Sequence, residues 1–176
     1  NKLAIKMKDG SDFEDYLEKN KTVAFLVIQN DTIKYENYFN NYDRESIVAS
    51  FSMAKSFTSF LVGCAIEDKY INSVDDPLTI YIPELIENGF EDVTIENLLQ
   101  MTSGLDFNES YFNPFGHAAT FYYGRHLEKS SLKLKLKNKP NEVTDYVSGN
   151  TQLLGLILDR VLKRKTISQY LEEKLW

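Results

Sequence analysis

The sequence predicts an α+β fold, because strand-like and helix-like patterns occupy different parts of the chain. A β-rich apolar run at 22–28 is followed by the turn residues Asn30-Asp31 and a second strand at 32–39, which together predict an antiparallel hairpin. Three later segments place apolar residues at the i, i+3, i+4 spacing of a helix: 53–65, 153–161 and 167–175. With 176 residues, 43% of them hydrophobic, the chain can form one sizeable core or part of a larger domain.

Local signals place the ends of the shorter elements. A short helix is expected at about 13–17, before the hairpin. Thr94 is expected to cap a helix at 95–101, which Gly104 would end in a left-handed conformation. The run 166–169 has the pattern of a capping box and opens the last helix.

Two segments follow neither period and are predicted to be loops. In the first, 72–83, Asp75 and Asp76 precede Pro77, where aspartates are more often turn and cap residues than cation ligands. The second, 106–129, is aromatic and irregular. Its side chains can line a substrate cleft, pack in the core or form a lid, and the sequence leaves these three roles open.

The composition excludes several classes of function. A formal net charge of -6 argues against a nucleic-acid partner, which usually needs a basic face. No apolar run reaches membrane-spanning length, and no signal peptide is recognisable after Asn1. The lone Cys64, with His117 and His126, makes no recognisable zinc cluster, so no metal or cofactor is expected.

A serine and a lysine three residues apart form the candidate reactive pair. Ser52 and Lys55 stand at the start of the predicted helix, where residues three apart lie on one face and their side chains can meet. Because few residues at 57–66 are charged, we expect a helix that is covered on most sides. Desolvation and the helix N-terminus would both favour a neutral amine, which can take the proton of a serine hydroxyl.

The S-x-x-K spacing is not specific on its own. Ser130 and Lys133 repeat it inside a run of alternating leucines and lysines at 132–137, where the lysines are expected to share one solvated face. For the first copy, the interpretation without a catalytic role is that Ser52 caps the helix and Lys55 is a surface lysine.

Ordered blocks beyond this pair resemble a known family. The blocks are 51–59 (FSMAKSFTS), 75–78 (DDPL) with 81–85 (YIPEL), 93–105 (VTIENLLQMTSGL) and 146–155 (YVSGNTQLLG). Their order and their residues are similar to those of the serine β-lactamase-related hydrolases. This group contains the class C β-lactamases, penicillin-binding-protein-like D-alanyl-D-alanine peptidases and family VIII esterases. Within that group the chain most resembles relatives of 6-aminohexanoate-dimer hydrolase. The resemblance covers about residues 22–176 and implies a β-lactamase/transpeptidase-like fold.

The resemblance implies roles for individual residues. Ser52 would attack a carbonyl carbon of a small-molecule substrate and form an acyl-enzyme, and Lys55 would receive its proton. Tyr146 matches the tyrosine of the family's Y-x-N element and would carry a proton to the leaving group. Ser148 stands where that asparagine would be and would bind Lys55 or the substrate, but it lacks the amide used in β-lactam recognition. Asn141 replaces a glycine after Pro140, and asparagine tolerates the same left-handed backbone.

One family element is missing from the chain. A Lys/His-Thr/Ser-Gly triplet, which the family places on an edge strand beside the nucleophile, does not occur. The resemblance therefore implies that residues 1–176 are the N-terminal portion of a single hydrolase domain, without its C-terminal strands. The C-terminal part would come from the same chain or another, and without it we expect an open hairpin edge, poor solubility and feeble catalysis. The family also favours an extracytoplasmic location, periplasmic or secreted.

Three functional hypotheses follow. The first is a serine hydrolase that cleaves an amide, ester or lactam through Ser52. The second is a non-catalytic β-lactamase-like protein that binds a ligand or regulates a partner. The third is a serine–histidine hydrolase with His117 or His126 as base, although neither histidine lies in a recognisable pairing motif.

Overall fold

A computed structural model describes residues 5–175, which divide into two compact units. The first unit ends at Ala49 and contains α1 (Phe13–Lys19), β1 (Ala24–Gln29) and β2 (Thr32–Tyr38). The second begins at Ser50 and contains α2 (Met53–Glu67), two 3-10 helices (Leu78–Ile80 and Pro83–Asn88), α3 (Ile95–Leu99), α4 (His117–Tyr123), α5 (Leu127–Ser131), α6 (Ser148–Leu162) and α7 (Ile167–Leu175).

The predicted hairpin is present in the first unit. Strands β1 and β2 pair antiparallel, with Ala24 opposite Tyr38 and Gln29 opposite Thr32. Asn30 and Asp31 both have left-handed backbones, with φ of 49° and 53°, as a two-residue turn matched to the strand twist requires.

The hairpin forms the whole sheet within residues 5–175. Leu26, Ile28 and Ile33 are exposed. Pairing with further strands remains a prediction.

The core of the second unit is built around α6. This helix contacts α2, α3, α5 and α7. Its predicted apolar stripe is buried at Leu153, Leu154, Ile157 and Leu158. The stripe forms because these positions fall on one side of a helix, and each buried leucine or isoleucine contributes roughly 1.5–3 kcal/mol of transfer free energy.

The expectation that α2 is covered on most sides is wrong. Leu61, Val62 and Ala65 are buried, but Met53 is 66% exposed and Phe60 is 43% exposed. The covered side of α2 is the one that contacts α6 and α7. The apolar spacing identified the side chains that can be buried, whereas actual burial requires a neighbouring element on each side.

The helix after Thr94 is shorter than predicted. Thr94 does cap it, in a reciprocal box with Asn97, but α3 ends at Leu99 and the first left-handed residue after it is Met101, with a φ of 61°. Gly104 also has a left-handed backbone, with a φ of 75°, but it lies beyond the end of α3 and does not cap that helix. A Cβ at Gly104 would lie 2.1 Å from the carbonyl oxygen of Asn138, so this close approach excludes a side chain.

The segment 106–129 is not irregular throughout, because it contains α4 and the start of α5. The run at 132–137 alternates as predicted. Its three lysines are exposed, Leu134 is buried, and Leu136 forms an isolated bridge with Leu105. Asn141 has the left-handed backbone expected of it, with a φ of 67°.

Candidate functional site

Ser52 lies at the N-cap position of α2, directly after a strained residue. Phe51 has a φ of 44°, which is unusual for a bulky side chain and is often found at functional sites. The Ser52 hydroxyl makes no capping hydrogen bond to the described part of the helix. The residue occupies a capping position without acting as a side-chain cap, and its exposed hydroxyl is available for other contacts.

The Lys55 side chain lies at the centre of the predicted site residues. Its Nζ lies 3.5 Å from Ser52 Oγ, 3.1 Å from Ser148 Oγ and 5.3 Å from the centre of the Tyr146 ring. Lys55 is half-buried, and Tyr146 is 55% exposed. The structure thus brings together all four residues that the sequence singled out, while their chemical roles stay predictions.

The N-terminus of α6 positions Tyr146 and Ser148. Val147, between them, is buried and has an extended backbone at the N-cap position. The next residue, Gly149, packs so closely that a Cβ would lie 2.5 Å from Leu105 Cδ2. A buried anchor on one side and a tight contact on the other leave the first turn of α6 little freedom to shift.

Glu109 is a residue of the site that the sequence did not reveal. Its Oε2 accepts the backbone N–H of Ser148 at 2.7 Å, and its Oε1 accepts the Ser148 hydroxyl at 2.5 Å. The Tyr111 hydroxyl also donates to Oε1, at 3.1 Å, and this hydrogen bond raises the pKa of the Tyr111 phenol. The only sequence signal was a carboxylate within a segment already considered as a cleft lining.

Two open cavities flank Lys55. One, of about 450 Å³, is lined by Ser52, Lys55 and Tyr146 together with Ser56, Ser59 and apolar residues of α3 and α6. The other, of about 540 Å³, has Lys55 and Ser148 in its wall and extends to Glu128 and Asp159. Both volumes are in the range of small-molecule sites.

The aromatic side chains of the segment 106–129 take two of the three roles that the sequence left open, cleft lining and core packing. Tyr111 and Tyr122 line a cavity of about 140 Å³ next to Ser148 and Glu109. Phe121 lines the same cavity and also packs on the buried Phe107, with ring centres 5.4 Å apart, whereas Phe112 is fully exposed. Part of the segment therefore borders the site and part of it belongs to the core.

The histidines have other contacts. His117 stacks on Phe107, and its Nδ1 accepts the backbone N–H of Asn108 at 3.0 Å. Neither His117 nor His126 lines the cavity of about 450 Å³ that Ser52 borders. The same residues contain no group of three or more histidine, cysteine, aspartate or glutamate side chains that could hold a metal ion.

The remaining candidates are structural. Asp75 and Asp76 hold their loop through hydrogen bonds with Ser73, and the Tyr81 hydroxyl, which donates to Asp76 at 2.5 Å, lowers the pKa of that carboxyl. Ser130 lies within α5, followed by the exposed Lys133. Over the described range, no helix combines the length and the apolar character needed to cross a membrane.

A family model described as Beta-lactamase matches residues 11–176. The 6-aminohexanoate-dimer hydrolase of Paenarthrobacter ureafaciens is 26% identical over 182 residues, covering 93% of this chain and 45% of that protein.

Two solved structures show the same fold. A Bacillus anthracis protein, provisionally assigned as a 6-aminohexanoate-dimer hydrolase, matches with a TM-score of 0.81 and 24% identity over 96% of this chain and 47% of its own. An octameric penicillin-binding protein homologue from Pyrococcus abyssi matches with a TM-score of 0.69 and 22% identity over 93% of this chain and 40% of its own. The chain spans less than half the length of these relatives. The matches confirm the resemblance and the fold predicted from the motif blocks.

Proposed function

Since this chain belongs to the beta-lactamase family, we propose that it is a serine hydrolase that cleaves an amide, ester or lactam through an acyl-enzyme on Ser52. The observation that supports this most directly is the position of Lys55. Its Nζ lies 3.5 Å from Ser52 Oγ and is held from another direction by Ser148 Oγ at 3.1 Å. A nucleophile beside a base that a third group orients is the arrangement needed for covalent catalysis.

The reaction follows from this arrangement. The Lys55 amine takes the Ser52 proton as Oγ attacks the carbonyl carbon, and the resulting oxyanion is stabilised by backbone donors, of which the Ser52 N–H is one. Tyr146 borders the same cavity as Ser52 and Lys55, so its hydroxyl can pass the proton to the leaving group. Water then attacks the acyl-enzyme, with the same groups acting in reverse.

The substrate is a small molecule. The two cavities beside Lys55, of about 450 and 540 Å³, are large enough for a compact amide or ester and too small for a folded protein. One relative is named as a hydrolase of the 6-aminohexanoate dimer, so this linear amide belongs among the test substrates.

Intact-protein mass spectrometry tests the proposal. The longest natural form of the protein is incubated separately with a fluorophosphonate, a β-lactam and a p-nitrophenyl ester, and any adduct is located by peptide mapping. We expect an adduct on Ser52 that Ser52→Ala abolishes. Lys55→Ala should slow its formation by roughly two to four orders of magnitude, the usual contribution of a general base. Ser130→Ala is the matched control and should label like the wild type, whereas an adduct on another serine would contradict the proposal.

The second candidate function is ligand binding without turnover. It is favoured by Ser148, which stands where the family's Y-x-N element has an asparagine, so that one residue of the implied site is changed. Calorimetric titration with a β-lactam and with the 6-aminohexanoate dimer distinguishes the two functions. Binding without product or adduct would support the second function, and turnover would exclude it.

A further inference from the structure

The hydrogen bonds of Ser148 have a defined direction. The hydroxyl has one proton, and its Oγ lies 2.5 Å from Glu109 Oε1. The hydroxyl donates to this carboxylate oxygen, so the Ser148 proton points to Glu109. The Ser148 backbone N–H donates to the other carboxylate oxygen at 2.7 Å, so Glu109 holds this residue at two points.

This direction determines what Ser148 offers to Lys55. With its proton committed to Glu109, Ser148 Oγ presents only lone pairs toward Nζ, 3.1 Å away, and must accept from the lysine. A neutral amine that donates one N–H to Ser148 can turn its own lone pair toward Ser52 Oγ, 3.5 Å from Nζ. That orientation is the one required to remove the Ser52 proton.

We propose that Glu109 is a positioning residue that acts through Ser148 to orient Lys55 for proton transfer from Ser52. The proposal rests on the proposed function. It also explains how a serine can stand where the family's Y-x-N element has an asparagine. The asparagine side chain contains a fixed carbonyl acceptor, whereas a serine hydroxyl becomes a fixed acceptor only when another group takes its proton.

The substitution Glu109→Gln tests the direction of the second hydrogen bond separately from its presence, because the glutamine side chain has one carbonyl oxygen and one NH₂ group. Its single carbonyl oxygen would accept the Ser148 backbone N–H, which has no other orientation available. The amide NH₂ would then face Ser148 Oγ and donate to it, so the Ser148 proton would turn toward Lys55 and occupy the amine lone pair. Glu109→Gln therefore keeps both contacts with Ser148 but reverses the direction of the hydrogen bond at Ser148 Oγ.

The experiment measures the rate of Ser52 labelling by a fluorophosphonate as a function of pH, using the longest natural form of the protein. The variants are Glu109→Gln, Ser148→Ala and the double variant, with the exposed Glu91→Gln as control. We expect Glu109→Gln to slow labelling roughly 10- to 100-fold, the range found when a residue that orients a metal ligand is replaced, and to shift the pH profile. A thermal scan should show a nearly unchanged fold.

The double variant provides the decisive comparison. Without the Ser148 hydroxyl there is no direction to reverse, so Glu109→Gln should have no further effect in the Ser148→Ala background. The proposal would be overturned if the two substitutions reduced the labelling rate by independent factors that multiply in the double variant, or if Glu109→Gln labelled with the wild-type rate and pH profile. Either result would leave the proposed serine hydrolase activity intact. Failure of the wild type to label Ser52 would refute both.

Other titratable groups near Lys55 are the same in every variant. The Tyr146 ring lies beside Nζ, and Tyr111 donates to Glu109. Glu128 and Asp159 line the cavity that Lys55 borders. A shift of the profile that appears with Glu109→Gln and disappears in the Ser148→Ala background can therefore be assigned to the Glu109–Ser148 contact.

Discussion

A methyl group added at Gly149 should disable the site with little loss of stability. Gly149 follows Ser148 in the first turn of α6. A Cβ there would lie 2.5 Å from Leu105 Cδ2 and 2.7 Å from Phe107 Cδ2. Apolar carbons in contact are normally about 3.5–4.0 Å apart, so Gly149→Ala creates an overlap of about 1 Å. Leu105 and Phe107 are both buried and their side chains have little room to give way, so we expect α6 to move.

The expected magnitudes follow from this overlap. Overpacking costs roughly 1–3 kcal/mol, and alanine recovers about 1 kcal/mol over glycine in a helix, so the net loss should be about 0–2 kcal/mol. A shift of about 1 Å would lengthen the 3.1 Å contact between Lys55 Nζ and Ser148 Oγ beyond hydrogen-bond range. Misplacement of that size can reduce a reaction rate by about 100-fold, and we expect a similar fall in Ser52 labelling.

The assay combines the fluorophosphonate labelling rate with urea unfolding. Gly63→Ala is the matched control, because Gly63 lies in α2, is exposed, and would have no atom within 4 Å of an added Cβ. That variant should gain up to about 1 kcal/mol and label normally. If Gly149→Ala instead gained stability like the control and labelled Ser52 at the wild-type rate, the inferred rigidity of the α6 N-terminus would be refuted.

Three further predictions concern other side chains. Tyr146→Phe should reduce turnover sharply while leaving the melting temperature unchanged, because it keeps the ring and removes only the hydroxyl proposed to carry protons; wild-type turnover would assign Tyr146 to packing alone. Tyr170→Phe removes the 2.8 Å hydrogen bond that the buried Tyr170 donates to Asp68, so a thermal scan should show a loss of about 1 kcal/mol, or about 3 °C. Hydrogen bonds from Arg160 lower the pKa of the Glu84 carboxyl from 4.5 to about 2. The stabilisation that they provide is therefore present above the pKa that Glu84 has in the unfolded chain, and it is lost as the pH falls toward 2. Arg160→Met should therefore flatten the fall in the free energy of unfolding across that pH range, measured by urea unfolding, and an unchanged slope would contradict the pairing.

Local signals in the sequence determined much of this structure. The Asn30-Asp31 turn, the Thr94 cap and the α6 stripe were all predictable, because each depends on residues within a few positions of one another. The S-x-x-K spacing belongs to the same class. A helix places residues three apart on one face, so the approach of Lys55 to Ser52 follows from the secondary structure alone.

Tertiary structure decided which surfaces are covered and which distant groups meet. Periodicity marked Met53 and Phe60 as apolar but could not show that both side chains stay exposed in the part of the chain that the structure describes. It likewise could not show that Gly104 faces the Asn138 carbonyl. Glu109 is the clearest case, because it reaches Ser148 across 39 positions of sequence. A contact at that separation depends on how the chain folds back, and a pattern of neighbouring residues contains no information about it.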